Sequence, residues 1–420
     1  MYHLVFPFRR ICYTRWDFDR NYLLCRQWNE YVQLIPQLWA TIILDYSPIP
    51  LTSIDSNLER SKGAPIHIFM SQGILPHINP RRYIHGLAIH LRPHLSRLET
   101  LLIYLVHPEW AVDWFLLSLS DLPLYQRDLI IPSLTLCLIK GPSSCFTTKN
   151  GPSKISLPKL QRLNIGVTAH CFLDTLCDES LISIRDLSIR FQEQEFLNIS
   201  AGLSTISKMS NLETLRWWNG EPLPRDPPFI PSVFFPKLRE LKLSMKFPDD
   251  SMKIFQRLDA PLLESLSIRG IRWGHRRYAG GLAFHTILDS SIPSLRYLCL
   301  EDMVIGSYEE AVLQSWLNCK NLERLVILHC EVHTPFFNVM SHGDRHEDSR
   351  ILPNIRVIYM SGSRFDVLDL ETFVRSIPLT KRSMDSIKIL RSHLRGNQKK
   401  SIVKIKTLIE DYPGTFSFTP

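Results

Sequence analysis

One phrase recurs through the chain and limits what it can fold into more than any other feature. It reads Pro-x-Leu-x-x-Leu-x-Leu, with Ile, Met or Cys allowed for Leu. Copies run PSLTLCLI from Pro132, PKLQRLNI from Pro158, PKLRELKL from Pro236, PLLESLSI from Pro261, PSLRYLCL from Pro293 and PNIRVIYM from Pro353. Four more lack the proline: RLETLLI from Arg97, SIRDLSI from Ser183, NLETLRW from Asn211 and NLERLVI from Asn321. The first apolar residue of each copy, called position 0 below, falls at Leu98, Leu134, Leu160, Ile184, Leu212, Leu238, Leu263, Leu295, Leu322 and Ile355, in steps of 24 to 36 residues. That is the length of one supersecondary unit.

The spacing has a direct physical meaning. Apolar residues at positions 3 and 5 lie on one face of a short strand, and the residue at position 0 packs the turn that leads into it. Proline two residues earlier presets an extended entry and cannot continue a helix. Between copies, stretches such as Ser251–Ala260 and Glu309–Cys319 carry apolar residues at helical spacing. Each unit is therefore expected to be a strand followed by a helix, too small to bury its apolar face alone and stable only when stacked.

This organisation resembles the leucine-rich repeat over about residues 80 to 395. The copy LERLVILHCEV from Leu322 places Cys330 where the cysteine-containing repeats of that family carry theirs. Lys246, Met303, Ile271 and Gly220 stand at the same position in other copies, so an irregular array is expected. The resemblance implies an α/β repeat fold: a leucine-rich repeat solenoid with parallel strands on its concave face and helices or loops outside. Its implied extent is residues 71–395.

Residues 1–70 are of another kind. RNYLLCRQWNEYVQLIPQLWATIIL, from Arg20, has helical apolar spacing up to Pro36, then a second short element through Trp39. Cys25, Trp28, Pro36, Leu38 and Trp39 match the cysteine, tryptophan and Pro-x-Leu-Trp phrase of the F-box-like domain found in many fungal proteins. NLERSKGAPIHI from Asn57 is similar to the strand entry that follows there. Nothing in Met1–Asp19 matches the family's opening Leu-Pro-x-Glu-Ile-Leu helix. The resemblance implies a small helical segment docking on the Skp-type adaptor of a cullin ubiquitin ligase through Leu24, Cys25, Trp28, Leu38 and Trp39.

The same resemblance implies a substrate receptor that does no chemistry itself and holds an unknown protein substrate near a ubiquitin-charged enzyme. On the expected concave face the outward positions are Arg190, Arg216, Trp218, Lys242, Arg269, Tyr297, Glu301, Arg324 and Tyr359. Arg and aromatic side chains anchor recognition surfaces, so this strip is expected to bind an acidic or phosphorylated segment. The alternative is a repeat array without a working F-box, binding nucleic acid or other proteins generically.

Composition narrows the remaining classes. At 45% hydrophobic and 21% charged over 420 residues, the chain is a folding sequence and not a disordered one. No apolar run approaches the ~18 residues of a membrane helix, and MYHLVFPFRR lacks a secretory signal, so a cytoplasmic or nuclear protein with reduced thiols at its nine cysteines is expected. No cofactor or metal is expected. His329, Cys330, His333, His342 and His346 match no zinc spacing, Cys171 and Cys177 no nucleophile setting, and Gly280–Gly281 no phosphate loop. GIRWGHRRYAGG from Gly270 reads as an exposed basic loop and EPLPRDPPFIPS from Glu221 as a connection between repeats. The formal charge of +8 is local: Arg375 to Lys406 holds ten Lys and Arg against Asp385 alone, 10 − 1 = +9. That run leads into residues 396–420, read as a basic capping helix (SIVKIKTLIEDY) and tail.

Overall fold

The computed structural model describes residues 30–31, 34–44, 51–70, 80–105, 133–138, 156–165, 173, 176–191, 199–219, 232–245, 258–270, 293–305, 319–342, 352, 354–376, 385–390, 393–395, 403, 407 and 415–419. The chain forms two compact units, Met1–Ile184 and Arg185–Pro420.

In the first unit, helix α1 (Pro36–Trp39) leads into strand β1 (Thr41–Leu44), and helix α2 (Leu51–Arg60) crosses to β2 (Ile66–Met70). Helix α3 (Pro80–Leu91) and a 3-10 turn (Arg92–Arg97) lead into β3 (Leu98–Leu105), followed by β4 (Ser133–Leu138), β5 (Arg162–Ile165) and α4 (Asp178–Ser183). The strands pair in chain order, all parallel. Their register stacks Ile42, Ile68, Leu101, Leu134 and Leu163 in one row, fully buried.

That register revises two expectations. Leu134 pairs with Leu101 and Leu163, which hold position 3, so the copy at Pro132 is read three residues out of frame and its position 0 is Ile131. The sheet also begins inside the segment assigned to an F-box-like domain. Ile42 and Leu44 stand at positions 3 and 5 of a repeat whose position 0 is Trp39, so Pro-Gln-Leu-Trp is itself a strand entry. The F-box phrase and the repeat phrase share these residues, and spacing alone cannot tell them apart.

Arg97 fixes the entry to β3. Its Nε and Nη2 donate to the Ala64 carbonyl at 3.1 and 2.9 Å, and Nη2 also donates to the Ser61 hydroxyl. Buried Ser61 in turn donates to the Leu58 carbonyl at 2.5 Å. Arg97 occupies position −1, immediately before the first Leu, and the same position makes the same kind of tie elsewhere. Ser183 donates to the Leu160 carbonyl, Ser294 to that of Leu263, Asn321 to that of Pro293 and Asn354 to that of Lys320. The unremarkable "x" of Pro-x-Leu is thus a hydrogen-bonding peg that satisfies a carbonyl of the preceding repeat.

The second unit runs β6 (Asp186–Phe191), helix α5 (Ile199–Ile206), β7 (Thr214–Asn219), β8 (Val233–Phe234), β9 (Glu240–Met245), β10 (Leu258–Asp259), β11 (Ser265–Gly270), β12 (Tyr297–Glu301) and β13 (Val304–Ile305). It continues with β14 (Arg324–Leu328), β15 (Glu331–Val332), helix α6 (Thr334–His342), β16 (Val357–Ser361), β17 (Arg364–Asp366), helix α7 (Val367–Ser376), β18 (Ser386–Leu390), β19 (His393–Arg395) and β20 (Thr415–Thr419). Strands β6, β7, β9, β11, β12, β14, β16, β18 and β20 form the main sheet, parallel throughout. The short β13, β15, β17 and β19 form a second parallel sheet, each one turn after β12, β14, β16 and β18. Both units are arrays of stacked repeats with one main parallel strand per repeat. Residues 415–419, assigned to a capping helix and tail from the sequence, are the last strand, pairing with β18.

Position 3 builds a continuous row of Leu187, Leu215, Leu241, Leu266, Leu298, Leu325, Ile358 and Ile387, each at most 1% exposed, and position 5 a second row containing Trp217, Met360 and Ile389. A tight turn follows. Asp302, His329 and Gly362, at position 7 of three successive repeats, take φ of +58°, +52° and +61°. The turn drives Met303, Cys330 and Ser363 into the interior. The Cys330 N–H donates to Ser363 Oγ at 3.2 Å, its thiol donates to the Leu328 carbonyl at 3.2 Å, and the Ser363 hydroxyl reaches the carbonyls of Ser361 and Ile327 at 3.3 and 3.4 Å. The inward ladder of this position therefore continues beyond Cys330 into Ser363. Under helices α6 and α7, Phe337 packs against Phe336, Phe365 and Phe373 at centroid distances of 5.2, 5.8 and 6.0 Å. Among the described residues no helix is long and apolar enough to cross a membrane.

Candidate functional site: the outward strand face

Because side chains alternate along a strand, burial of positions 3 and 5 sends positions 2, 4 and 6 to the other face. The parallel register carries each position straight across the second unit. Position 2 gives Asp186, Thr214, Glu240, Ser265, Tyr297, Arg324, Val357 and Ser386. Position 4 gives Ser188, Arg216, Lys242, Ser267, Cys299, Val326, Tyr359 and Lys388, and position 6 gives Arg190, Trp218, Ser244, Arg269, Glu301, Leu328, Ser361 and Leu390. All nine residues singled out from the sequence occupy this face by register.

Their charges are not free. Arg216 pairs with Asp186 at 3.2 Å, Lys242 with Glu240 at 2.5 Å, and Arg269 with Glu301 and Asp302 at 3.5 and 3.6 Å. The partner acids Asp186 and Glu240 stand at position 2, which the sequence reading passed over on those strands. Arg324 differs: its guanidinium lies over the Tyr297 ring, 5.6 Å from the centroid. Next to this pair, Cys299 and Val326 face outward yet are only 7% and 5% exposed, so they form a covered apolar floor. Burial pushes the Tyr297 phenol up to about 12 and raises the Cys299 thiol as well, and both stay neutral at physiological pH. Lys388, beside Tyr359 in register, is an exposed cation of the same face. Its strand carries no Pro-x-Leu phrase, and only the alternation of Ile387 and Ile389 marks it.

A second pattern borders the face. Position 1 reads Arg185, Glu213, Arg239, Glu264, Arg296, Glu323, Arg356 and Asp385, alternating in sign through eight repeats. Arg185 pairs with Glu213 at 3.6 Å, Arg239 with Glu264 at 3.0 Å and Arg296 with Glu323 at 3.4 Å. Each carbonyl from Arg185 to Arg356 accepts two N–H groups of the next repeat. With four Arg against three Glu and one Asp, the rim carries no net formal charge. The sign alternation stands in the sequence once the copies are aligned.

Leu24, Cys25 and Trp28 lie outside the described residues. Trp39 is half-buried beneath Arg60, whose guanidinium sits 4.6 Å from the ring centroid, so a contact between α1 and α2 engages it. Leu38 is exposed, as are Tyr31, Leu34 and Ile35, on the two sides of a break where Ile35 takes an extended conformation before α1. Of the residues weighed for chemistry, Cys330 is fully buried, with its thiol pushed up to about 12 by desolvation, and it serves the inward ladder. Burial by itself raises the Cys177 thiol, but hydrogen bonds with Ser180 and Ser156 outweigh it and hold the group below its ordinary value. Among the described residues no group of His, Cys, Asp and Glu could hold a metal ion. Cys171, His346, residues 271–281 of the basic loop, residues 221–231 of the Pro-rich stretch and most of the basic run to Lys406 lie outside the described residues.

No protein-family model matches the chain, and no curated protein matches it in sequence. Solved structures do resemble it. A protein from Bacteroides fragilis aligns at 16% identity and TM-score 0.38 over 62% of this chain and 65% of that one, which is less than two thirds of its length. An internalin from Listeria monocytogenes aligns at 12% identity and TM-score 0.36, covering 80% and 93% of the two chains. The leucine-rich repeat-containing protein LegL7 from Legionella pneumophila aligns at 11% identity and TM-score 0.33, covering 89% and 91%.

Proposed function

We propose that the chain is a protein-interaction scaffold that holds a partner protein on the outward strand face of Arg185–Pro420. The observation that carries this reading is the face itself. Eight consecutive strands present Arg, Lys, Tyr and Trp at the positions that point away from the core, in a register that makes one continuous surface. Rigid strands supply pre-organisation, so a partner loses only its own freedom on binding. The scaffold performs no covalent step.

The finer part of the proposal is that residues up to Trp39 dock a Skp-type adaptor of a cullin ubiquitin ligase, making the captured protein a ubiquitylation substrate. The exposed apolar residues Tyr31, Leu34, Ile35 and Leu38 support it, because large apolar side chains exposed so close together in the chain mark a surface that a partner covers. Co-purification of the full chain with a Skp-type adaptor tests this part. Retention that Leu34→Glu and Leu38→Glu abolish is the expected result. Failure to retain adaptor removes the ligase role and leaves the scaffold role standing. Salt-sensitive retention of RNA or DNA in place of protein would favour the nucleic-acid alternative.

A further inference from the structure

The outward face divides into two chemically different halves, and the division locates a ligand site. From β6 to β12 the outward positions carry the cations Arg190, Arg216, Lys242 and Arg269 against the acids Asp186, Glu240 and Glu301. The acids are engaged in the pairs given above. From β14 to β18 the nine outward positions hold two cations, Arg324 and Lys388, and no acid. The rest of that half is Tyr359, Ser361, Ser386 and the apolar Val326, Leu328, Val357 and Leu390. Of the carboxylates bordering this half, Glu301 pairs with Arg269 and Glu323 with Arg296. Asp385 stands on the rim, its N–H bonded to the Arg356 carbonyl. Among the described residues, neither Arg324 nor Lys388 has an ion-pair partner.

We propose that this half, with Arg324 and Lys388 as its charged contacts and Val326, Val357 and Tyr359 as its floor, binds an extended acidic segment of the partner protein: two carboxylates flanking two apolar residues. The inference rests on the scaffold reading and specifies its ligand. Arg324 on β14 and Lys388 on β18 lie two strands and two residues apart, which is about 12 Å between their Cα atoms at ordinary sheet spacings. That distance matches about three to four residues of extended peptide, with the middle side chains over Val357 and Tyr359, which the register places between the two cations. Tyr297 preorders the site by holding the Arg324 guanidinium in place, so little rotamer freedom remains to be lost on binding. Charge complementarity selects acids over bases at this spot, because a basic segment would meet two cations with no acid to receive it. Arg216 and Arg269, which the sequence ranks equally with Arg324, are secondary, since a ligand carboxylate must displace Asp186, or Glu301 and Asp302, to reach them.

The test uses the full chain and a fluorescein-labelled peptide with two Glu separated by two Leu, read by anisotropy at low salt. Its Gln counterpart is the control. The expected result is binding of the Glu peptide about tenfold tighter than the Gln peptide, a difference of about 1.4 kcal/mol. Arg324→Ala and Lys388→Ala should each lose about tenfold, while Arg216→Ala and Arg269→Ala lose less than about twofold. All four side chains lie on the sheet surface, so an unchanged thermal transition separates lost contact from lost fold.

Equal binding of Glu and Gln peptides overturns the acidic ligand, and equal losses at all four cations overturn the location. Competition by oligothymidylate as strong as by unlabelled Glu peptide overturns the protein ligand. Failure of the scaffold reading looks different: peptides selected by display on the chain would bind undiminished by Tyr359→Ala, Arg324→Ala and Arg216→Ala together, and the inference would fall with it. Selected non-acidic peptides that Tyr359→Ala releases would sink the ligand class alone.

Discussion

Replacing Gly362 by alanine tests the turn that ends each main strand of the second unit. Gly362 has φ +61°, where a Cβ costs about 1–2 kcal/mol. Its neighbour adds a second term. A Cβ built there collides with Nδ1 and Cε1 of the His329 ring from the preceding repeat. Relief requires either an off-rotamer His329, about 0.5–1.5 kcal/mol, or a backbone shift of the size seen in overpacked sites, about 1–3 kcal/mol. The sum is about 3 kcal/mol. The two contributions separate in a double-mutant cycle, because His329→Ala removes the ring and leaves the φ penalty. Urea unfolding followed by the fluorescence of buried Trp217 reports on the same unit. Gly362→Ala should lose about 3 kcal/mol, and the double variant should recover about 1–2 kcal/mol relative to additivity. A loss below about 1 kcal/mol, or strict additivity with His329→Ala, would refute the collision.

Three further outcomes follow from the geometry. Arg97→Ala removes the donors to the Ala64 carbonyl and to buried Ser61, so it should cost about 2–3 kcal/mol and speed amide exchange around residues 61–66; unchanged exchange there contradicts the clamp. Leu298→Ala in the position 3 row should cost about 2–5 kcal/mol, whereas Arg239→Ala, in an exposed pair with Glu264, should cost under about 1 kcal/mol; comparable shifts of the two in thermal unfolding would refute the core as described. Thiol labelling at mildly alkaline pH should modify Cys177 before Cys319 and Cys330, since the first is held below its ordinary value and the other two are pushed up to about 12; mass spectrometry finding Cys330 first would contradict this. The same raised values set a sign. Unfolded thiols ionise near 9 while these two stay protonated in the fold, so their contribution to stability is complete below about pH 9 and is lost as pH rises toward 12.

Repeat strands were legible wherever Leu, Ile or Met alternates behind the Pro-x-Leu phrase, and nine of the ten copies were read in frame. The tenth, from Pro132, has Leu at both positions 134 and 136, so apolar residues fit two frames, and only pairing with Leu101 and Leu163 chooses between them. Strands β1, β18 and β20 escaped notice, and β2 was read as a strand entry but not as a repeat, because Trp39 or Pro65 at position 0 hides the match to the phrase. Ser363 was missed because a small hydroxyl in a leucine-rich phrase looks like a loop residue until the left-handed turn at Gly362 points it inward. On the outward face, Arg216, Arg269 and Arg324 looked equivalent. They differ because their neighbours lie 27 to 32 residues away in the chain, as with Asp186 for Arg216, Glu301 for Arg269 and Tyr297 for Arg324.

The sequence by itself determined the repeat, its strand-forming alternation and which side chains leave the core, because all three depend on residue spacing within one unit. Tertiary structure decided the frame of each strand, which cations keep their charge for a ligand and which thiols are silent. Those properties arise between repeats, where parallel register places residues some thirty positions apart about 5 Å from each other, and no spacing within a single copy encodes that neighbour.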